Sequence, residues 1–264
     1  MKNIAVTISN ANKNVNPIET IHAISNAGFK NVFIEWYNKD WKITQQEQLD
    51  ECRKLGLNVI FAHLGYQGIN NLWLDNIEGD QLVDRYINDL NICKENGINL
   101  VCMHLTSKSS APKDGDIGLV RLRKIVAHAE SIGMRIGFEN TKIEGFLEYV
   151  IQNIQSDAVG ICLDSGHYHA HFKDKLDFSL FKDKIYCVHL HDNYGEEDEH
   201  LIPFDGNLDW EQLLKNLKEC NYKGPMTMEL VYRNDYLKMD VIDFYKKGLN
   251  IGKQLEEMYY GNNL

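Results

Sequence analysis

A chain of 264 residues with 44% hydrophobic side chains is long enough to bury one large α/β barrel or two modest domains. Its 38 acidic residues against 28 basic ones leave a formal charge of −10, and only six of the basic residues are arginines. That balance argues against broad contact with a phosphate backbone, so nucleic acid is not the expected partner and a small molecule is. No apolar run approaches the ~18 residues of a membrane helix, so no membrane partner is expected.

The N-terminal "MKNIAVTISNANKN" alternates and then turns polar, which reads as a strand and not as a secretion signal. From there short apolar runs alternate with longer amphipathic stretches. The runs are, in order, "IAVTIS", "VFIEWY", "NVIFAHL", "LVCMHLT", "RIGFEN", "VGICLDS", "YCVHLHD" and "MTMELVY". Between them lie helical patterns such as "PIETIHAISNAG", "QLVDRYINDLNICKENG" and "DWEQLLKNLKECNYKG", several closed by glycines (Gly28, Gly56, Gly97, Gly133). Eight strand–helix units without a linker or repeat predict one (β/α)8 TIM barrel over residues 1–264. A doubly wound sheet is the alternative, but the glycine fingerprint for phosphates is missing after the first strand. Six cysteines (52, 93, 102, 162, 187, 220) show no CxxC pair, so buried, reduced thiols in a cytoplasmic protein are expected.

The strands end in polar residues: Glu35, His63, His104, Glu139, Asp164, His189 and Glu229. Residues i and i−2 of a strand share a face. Stepping back two positions gives Cys102, Gly137, Cys162, Cys187 and Thr227, all small, whereas Met103, Phe138, Leu163, Val188 and Met228 between them are bulky. One face of each strand therefore runs from small residues to a ligand type, at the carboxyl ends where barrels place active sites. A single inward His or Glu is more often a satisfied core or rim residue. Three carboxylates at one mouth differ, because they repel and raise one another's pKa unless a cation neutralises them. Glu139, Asp164 and Glu229 with His189 accordingly predict a divalent metal site. Such a donor set suits Mn, Mg or Co, and added histidines shift it toward Zn.

These residues resemble the xylose isomerase-like barrels, a group of sugar isomerases and epimerases together with endonuclease IV-type nucleases. The resemblance rests on "AHLGY" (His63), "MHLT" (His104), "GFEN" (Glu139), "ICLDSGH" (Asp164, His167), "VHLHD" (His189), "DEH" (Asp198, His200) and "MEL" (Glu229). It implies one metal on Glu139, Asp164, His189 and Glu229, with Glu139 and Glu229 as the catalytic acid–base pair of a ketose epimerase. It also implies that His63, His104, His167, Asp198 and His200 bind substrate or, as in the nucleases, complete a nine-residue set for three zinc ions. Phe204 stands where the family has the first Gly of a Gly-acid-Gly turn, and "GYQGINNLWLDNIEGD" after His63 carries no Lys or Arg.

Three function classes follow. The first is a metal-dependent isomerase or epimerase of a small carbohydrate, or a related dehydratase, working through a stabilised enediolate. The second is a multinuclear zinc phosphodiesterase, which the nine positions favour and the acidity opposes. A non-catalytic sugar binder is the third, and the paired glutamates disfavour it. Within "VHLHDNYGEEDEHLIPFDG", His191 is read as a residue that either supports the ligands from behind or lies at the rim, and "EEDE" as a solvated run. Glu35, Trp36 and Tyr66 are expected to floor or wall the pocket, and His169 and His171 to lie at the surface. The composition leaves a homo-oligomer open.

Overall fold

The computed structural model describes residues 4–9, 15–36, 43–108, 115–173 and 175–261. Among them eight parallel strands alternate with eight α-helices. The first half contains β1 (Ile4–Ile8), α1 (Pro17–Ala27), β2 (Asn31–Glu35), α2 (Gln45–Lys54), β3 (Asn58–His63), α3 (Ile77–Glu95), β4 (Leu100–Met103) and α4 (Gly115–Ser131). The second contains β5 (Arg135–Glu139), α5 (Phe146–Asn153), β6 (Val159–Asp164), α6 (Ser165–Phe172), β7 (Ile185–His189), α7 (Trp210–Glu219), β8 (Met226–Met228) and α8 (Val241–Tyr260). Strands adjacent in sequence pair in the sheet, and β1 pairs with both β2 and β8. The ring closes between β7 and β8 through a parallel bridge of Leu190 and Met228. There the Leu190 N–H donates to Thr227 O at 2.8 Å and the Glu229 N–H to Leu190 O at 3.1 Å. The chain is a (β/α)8 barrel.

Local chemistry sets the element ends. Asn16 caps α1 by accepting from the Glu19 N–H at 2.9 Å, Glu19 answers the Asn16 N–H at 3.3 Å, and Pro17 takes the first turn. Gly28, Gly56, Gly97 and Gly133 sit at φ of 103°, 68°, 81° and 65°, the left-handed region that ends a helix. Helix α3 starts earlier than its apolar periodicity suggests, at Ile77, because the Asn76 side chain caps it by accepting from the Gly79 N–H at 2.9 Å.

The parity reading holds where it was made, and two strands complete it. Met103, Phe138, Leu163, Val188 and Met228 pack between the strands and the helices, whereas Cys102, Cys162 and Cys187 line the inside with Leu100, Phe33 and Phe61. Phe33 and Phe61 stack at 4.5 Å, and burying each contributes roughly 1.5–3 kcal/mol. The small side chains opposite make room for them: even a Cβ on Gly137 would come within 3.1 Å of Cys187 Sγ. All six cysteines are buried and free. Among the described residues no helix is long and apolar enough to cross a membrane.

The segment after β3 is tied down from outside. Buried Arg121 donates to the carbonyls of Asn71, Leu72, Leu74 and Asn76 at 2.6–3.2 Å and to Asp80 at 3.0 Å. Trp73 donates to Leu105 O at 2.7 Å. Asn70 pairs reciprocally with the Ser107 backbone at 2.9 Å in both directions. These contacts tie the segment after β3 to residues 105 and 107, just past His104.

Candidate metal centre

His189 closes β7 with no solvent exposure and lies nearly parallel to the Phe33 ring at 5.1 Å. Its Nδ1 faces three carboxylates: Glu229 Oε2 at 3.5 Å, Glu139 Oε1 at 3.7 Å and Asp164 Oδ2 at 3.7 Å. Neither ring nitrogen has a hydrogen-bond partner, which is expensive for a buried polar group. Donor atoms 3.5–3.7 Å apart are spaced as neighbours in a shell with bonds of ~2.0–2.2 Å. The four residues fit a divalent cation.

Glu139 turns its second oxygen to another group. Oε2 lies 3.1 Å from His104 Nε2, 3.2 Å from His63 Nε2 and 3.1 Å from the Cys102 thiol, which donates to it. The Tyr66 ring stacks on His104 at 4.3 Å and 4°, walling this side as the sequence suggests. On the opposite flank His167 bridges, with Nδ1 at 3.2 Å from Glu139 Oε1 and Nε2 at 3.4 Å from Asp198 Oδ2. Asp198 Oδ2 also meets His200 Nε2 at 3.2 Å.

Charge in the cluster is tightly balanced. Burial works against the charge of Glu139 and Asp164, yet His104 and His189 hold Glu139, and His167 and His191 hold Asp164, well below the usual carboxylate range. Burial likewise opposes the charge on Asp198, and His200 and His167 pull it far down. Burial lowers His167 and His189, but Asp164 beside the first and Glu229 beside the second carry both well above the ordinary histidine value. His200 is raised to about 9 by Asp198 against the burial penalty, whereas burial takes His104 down. Imidazole protons thus neutralise the carboxylates, and a divalent cation binds by displacing such protons.

Several residues position this set. Asp164 is both the last residue of β6 and the cap of α6, its Oδ1 accepting from the His167 N–H at 2.6 Å. Asn140 pairs with its backbone, accepting from Asp164 N–H at 2.7 Å and donating to Asp164 O at 2.9 Å. Asp192, wholly buried, accepts three hydrogen bonds from the loop between β7 and α7 that carries Asp198 and His200, and a fourth from Trp210 at the start of α7. None of Asn140, Asp192 and Cys102 was singled out as a site residue from the sequence. Polar residues that cannot face solvent, inside apolar runs, were the available signal.

The nine residues proposed from the sequence, His63, His104, Glu139, Asp164, His167, His189, Asp198, His200 and Glu229, all converge on this mouth. His191 takes the first of the two places the sequence allows it, behind the candidate ligands and not at the rim. It is fully buried, its Nε2 lies 3.0 Å from Asp164 Oδ2 and 3.6 Å from Glu229 Oε2, and its ring stacks on His200 at 4.1 Å. It gets there because Gly166 leaves space: a Cβ there would stand 1.9 Å from His191 Cε1. Trp36 belongs to the core and donates to Asp89, so it does not line the pocket. Glu35 is beside His63 at the rim. His169 and His171 are half-buried, and His171 packs against His167 at 5.5 Å. The "DEH" residues turn inward by a left-handed His200 (φ 48°), not by simple extended alternation.

The family model described as "xylose isomerase-like TIM barrel" matches residues 21–255. Among curated relatives, an uncharacterized protein from Sinorhizobium fredii is 38% identical over 104 residues, 39% of this chain and 33% of its own length. A probable endonuclease 4 from Mycoplasma mycoides subsp. mycoides SC is 24% identical over 180 residues, 60% of this chain and 61% of its own. The chain thus spans a third to three-fifths of the length of these relatives. D-psicose 3-epimerase from Clostridium cellulolyticum H10, solved with D-tagatose, superposes with a TM-score of 0.75 at 14% identity, covering 96% of this chain and 99% of that one. The IOLI protein with a zinc atom superposes with a TM-score of 0.75 at 18% identity, covering 98% of both chains. These likenesses extend to the fold.

Proposed function

The chain belongs to the xylose isomerase-like TIM barrel family, and from that footing we propose that it is a divalent-cation-dependent isomerase or epimerase of a small polyhydroxy carbonyl compound, a sugar or sugar phosphate. The observation that carries the reading is the unpartnered His189 Nδ1 facing Glu139, Asp164 and Glu229 at 3.5–3.7 Å. These four residues would hold the cation, which supplies positive charge for the oxyanion that develops when a carbon next to a carbonyl loses its proton.

The chain's own groups do the rest. Glu139 comes from β5 and Glu229 from β8, with the strands of Asp164 and His189 between them. The two carboxylates therefore reach the mouth from the two ends of an arc. One removes the carbon-bound proton and the other returns it, in an epimerase from the opposite face; in an isomerase one of them carries it between neighbouring carbons. Such a group contributes ~10²–10⁴-fold. Cys102 holds Glu139 Oε2 by its thiol proton, which fixes the carboxylate's rotation and leaves Oε1 toward the cluster. The Tyr66 ring stacks on His104 and walls that flank.

The test is a screen of ketoses and their phosphates in D₂O. Deuterium should enter one carbon position with wild type and vanish in Glu139→Gln and Glu229→Gln. A second reading, a multinuclear phosphodiesterase, draws on one specific observation: Glu139 and Asp198 each link neighbouring donor groups, which suits several cations on a phosphate. A charge of −10 and the absence of Lys and Arg from 65–80 oppose it. Cation-dependent cleavage of abasic-site DNA, with no exchange into any sugar, would overturn the isomerase reading.

A further inference from the structure

The barrel has a second opening, at the end away from the candidate metal centre. Residues two apart in a strand share a face, so the inward face that ends at Glu139 begins, past Gly137, at Arg135. Arg135 opens β5 as Asn31 and Asn58 open β2 and β3, and Asn99 precedes β4. These four residues belong to the rim of a cavity of about 460 Å³, whose inner wall is formed by the buried Phe61, Leu100 and Cys187. A volume within ~300–1,000 Å³, apolar walls and a few polar groups are the usual makings of a small-molecule site. Phe61 separates this space from the mouth. Its ring centroid lies 5.8 Å from that of His189, and none of the nine candidate residues lines the cavity.

Charge sets this cavity apart. The chain has 38 acidic residues, yet Arg135 is the one charged residue among those lining the space. Its guanidinium is supported by a ring that is itself fixed. Tyr186 lies against Gly160, where a Cβ would stand 2.4 Å from the ring, and its hydroxyl donates to Asp157 O at 2.8 Å. Arg135 Cζ sits over that ring at 5.0 Å from its centroid, and its N–H donors have no hydrogen-bond or ion-pair partner among the described residues. Lys94, just outside the rim, is already engaged by Asn99 Oδ1 at 2.9 Å and Gly133 O at 3.3 Å. We propose that the cavity is a ligand site for a small monocarboxylate with a compact apolar body, its carboxylate on Arg135 and its body against Phe61 and Leu100. A guanidinium carried over an aromatic face keeps its N–H fork for a planar carboxylate, which it pairs in two places at once. One cation balances one negative charge, whereas a phosphate monoester would bring ~1.5–2.

Benzoate titrated into chelator-treated protein, followed by amide chemical shifts, tests this apart from any metal at the mouth. Saturable shifts should gather at Asn58–Phe61, Asn99–Leu100 and Tyr186–Cys187. Benzamide, of the same shape without the charge, and Arg135→Gln with benzoate should each bind roughly tenfold more weakly or worse. Ile60, half-buried on the cavity wall, offers a second variant: Ile60→Trp fills the space and should abolish binding with Arg135 intact. Shifts that fail to saturate below about 10 mM benzoate would overturn the site. So would equal affinity in Arg135→Gln, or shifts confined to residues 189–200, which would move the carboxylate to the mouth. Phenyl phosphate binding more tightly than benzoate would overturn the assignment to a single negative charge.

Discussion

Removing the Asp192 carboxylate tests whether the loop that carries Asp198 and His200 is built or merely parked. Oδ1 accepts from the N–H groups of Asn193 at 2.9 Å and Leu208 at 3.1 Å; Oδ2 accepts from Phe204 N–H at 2.9 Å and Trp210 Nε1 at 2.8 Å. The side chain is fully buried, so no water replaces it. The same loop holds His200 at φ 48° and Phe204 at φ 72°, conformations costing about 1 kcal/mol or more each for residues with a Cβ. Phe204 is one of these strained residues, and Asp192 holds it in place by accepting its N–H.

Hydrogen bonds to a charged group contribute roughly 1.5–3 kcal/mol each, and four on one carboxylate do not add fully. Asp192→Ala should therefore lose about 3–5 kcal/mol. Asp192→Asn keeps the shape and one oxygen but sets an NH₂ against two donors, so about 2–3 kcal/mol should go. At ~2–4 °C per kcal/mol for a chain of this size, the asparagine variant melts roughly 5–10 °C lower. Urea melts give the global figure. Amide exchange at Phe204 and Leu208 detects the alternative, local opening of the loop. An Asp192→Asn protein with wild-type melting and unchanged protection at both amides would refute the reasoning, because shape alone would then suffice.

Gly166→Ala places a methyl 1.9 Å from His191 Cε1 and should displace that ring from Asp164, weakening cation binding ~10–100-fold at a stability cost of about 1–3 kcal/mol; calorimetric titration with zinc checks it. Asp89 lies on α3 away from the site, and burial raises its carboxyl to about 6, above an unfolded value near 3.8, with Arg85 and the Trp36 indole opposing. The native state then binds the proton more tightly, so stability is fullest below pH ~4 and falls as pH rises to 6. Asp89→Asn, which still accepts from Trp36, should gain about 1–2 kcal/mol at pH 7.5 and nothing at pH 4. An equal gain at both pH values would contradict the burial argument.

The barrel was legible because its pattern repeats. Eight apolar runs separated by amphipathic stretches admit few topologies, and the period of two within the runs placed five polar strand ends, His104, Glu139, Asp164, His189 and Glu229, on one face. What that period could not reach lies past the strand ends. His189 and His191 share a parity, yet whether His191 meets solvent or Asp164 depends on a residue 25 positions earlier, Gly166, whose missing Cβ is the space its ring fills. Likewise nothing in "FDGNLDW" shows that the N–H groups of Phe204 and Leu208 converge on Asp192. Trp36 was misread for the converse reason. A residue just beyond a strand end keeps no fixed parity, and its ring turned to the core and Asp89.

The packing of the barrel and the chemistry of its mouth are one problem. Phe33 and Phe61 fill the interior from β2 and β3 and leave the β4, β5, β6 and β7 side to thiols and a glycine. The His189 ring lies on Phe33, and His63 stacks on His189 at 5.4 Å, so the floor that orients the central imidazole is an aromatic column. Across from it the buried thiols of Cys102, Cys162 and Cys187 share one cluster, and Cys102 donates to Glu139. An apolar floor keeps water from screening the carboxylates above, which strengthens their demand for positive charge. A change in the floor that leaves every candidate ligand untouched therefore acts on the site. Enlarging Cys162, clustered with the other two thiols, should disturb Cys102 and through it Glu139. The inner layer is small because the layer above it must hold still.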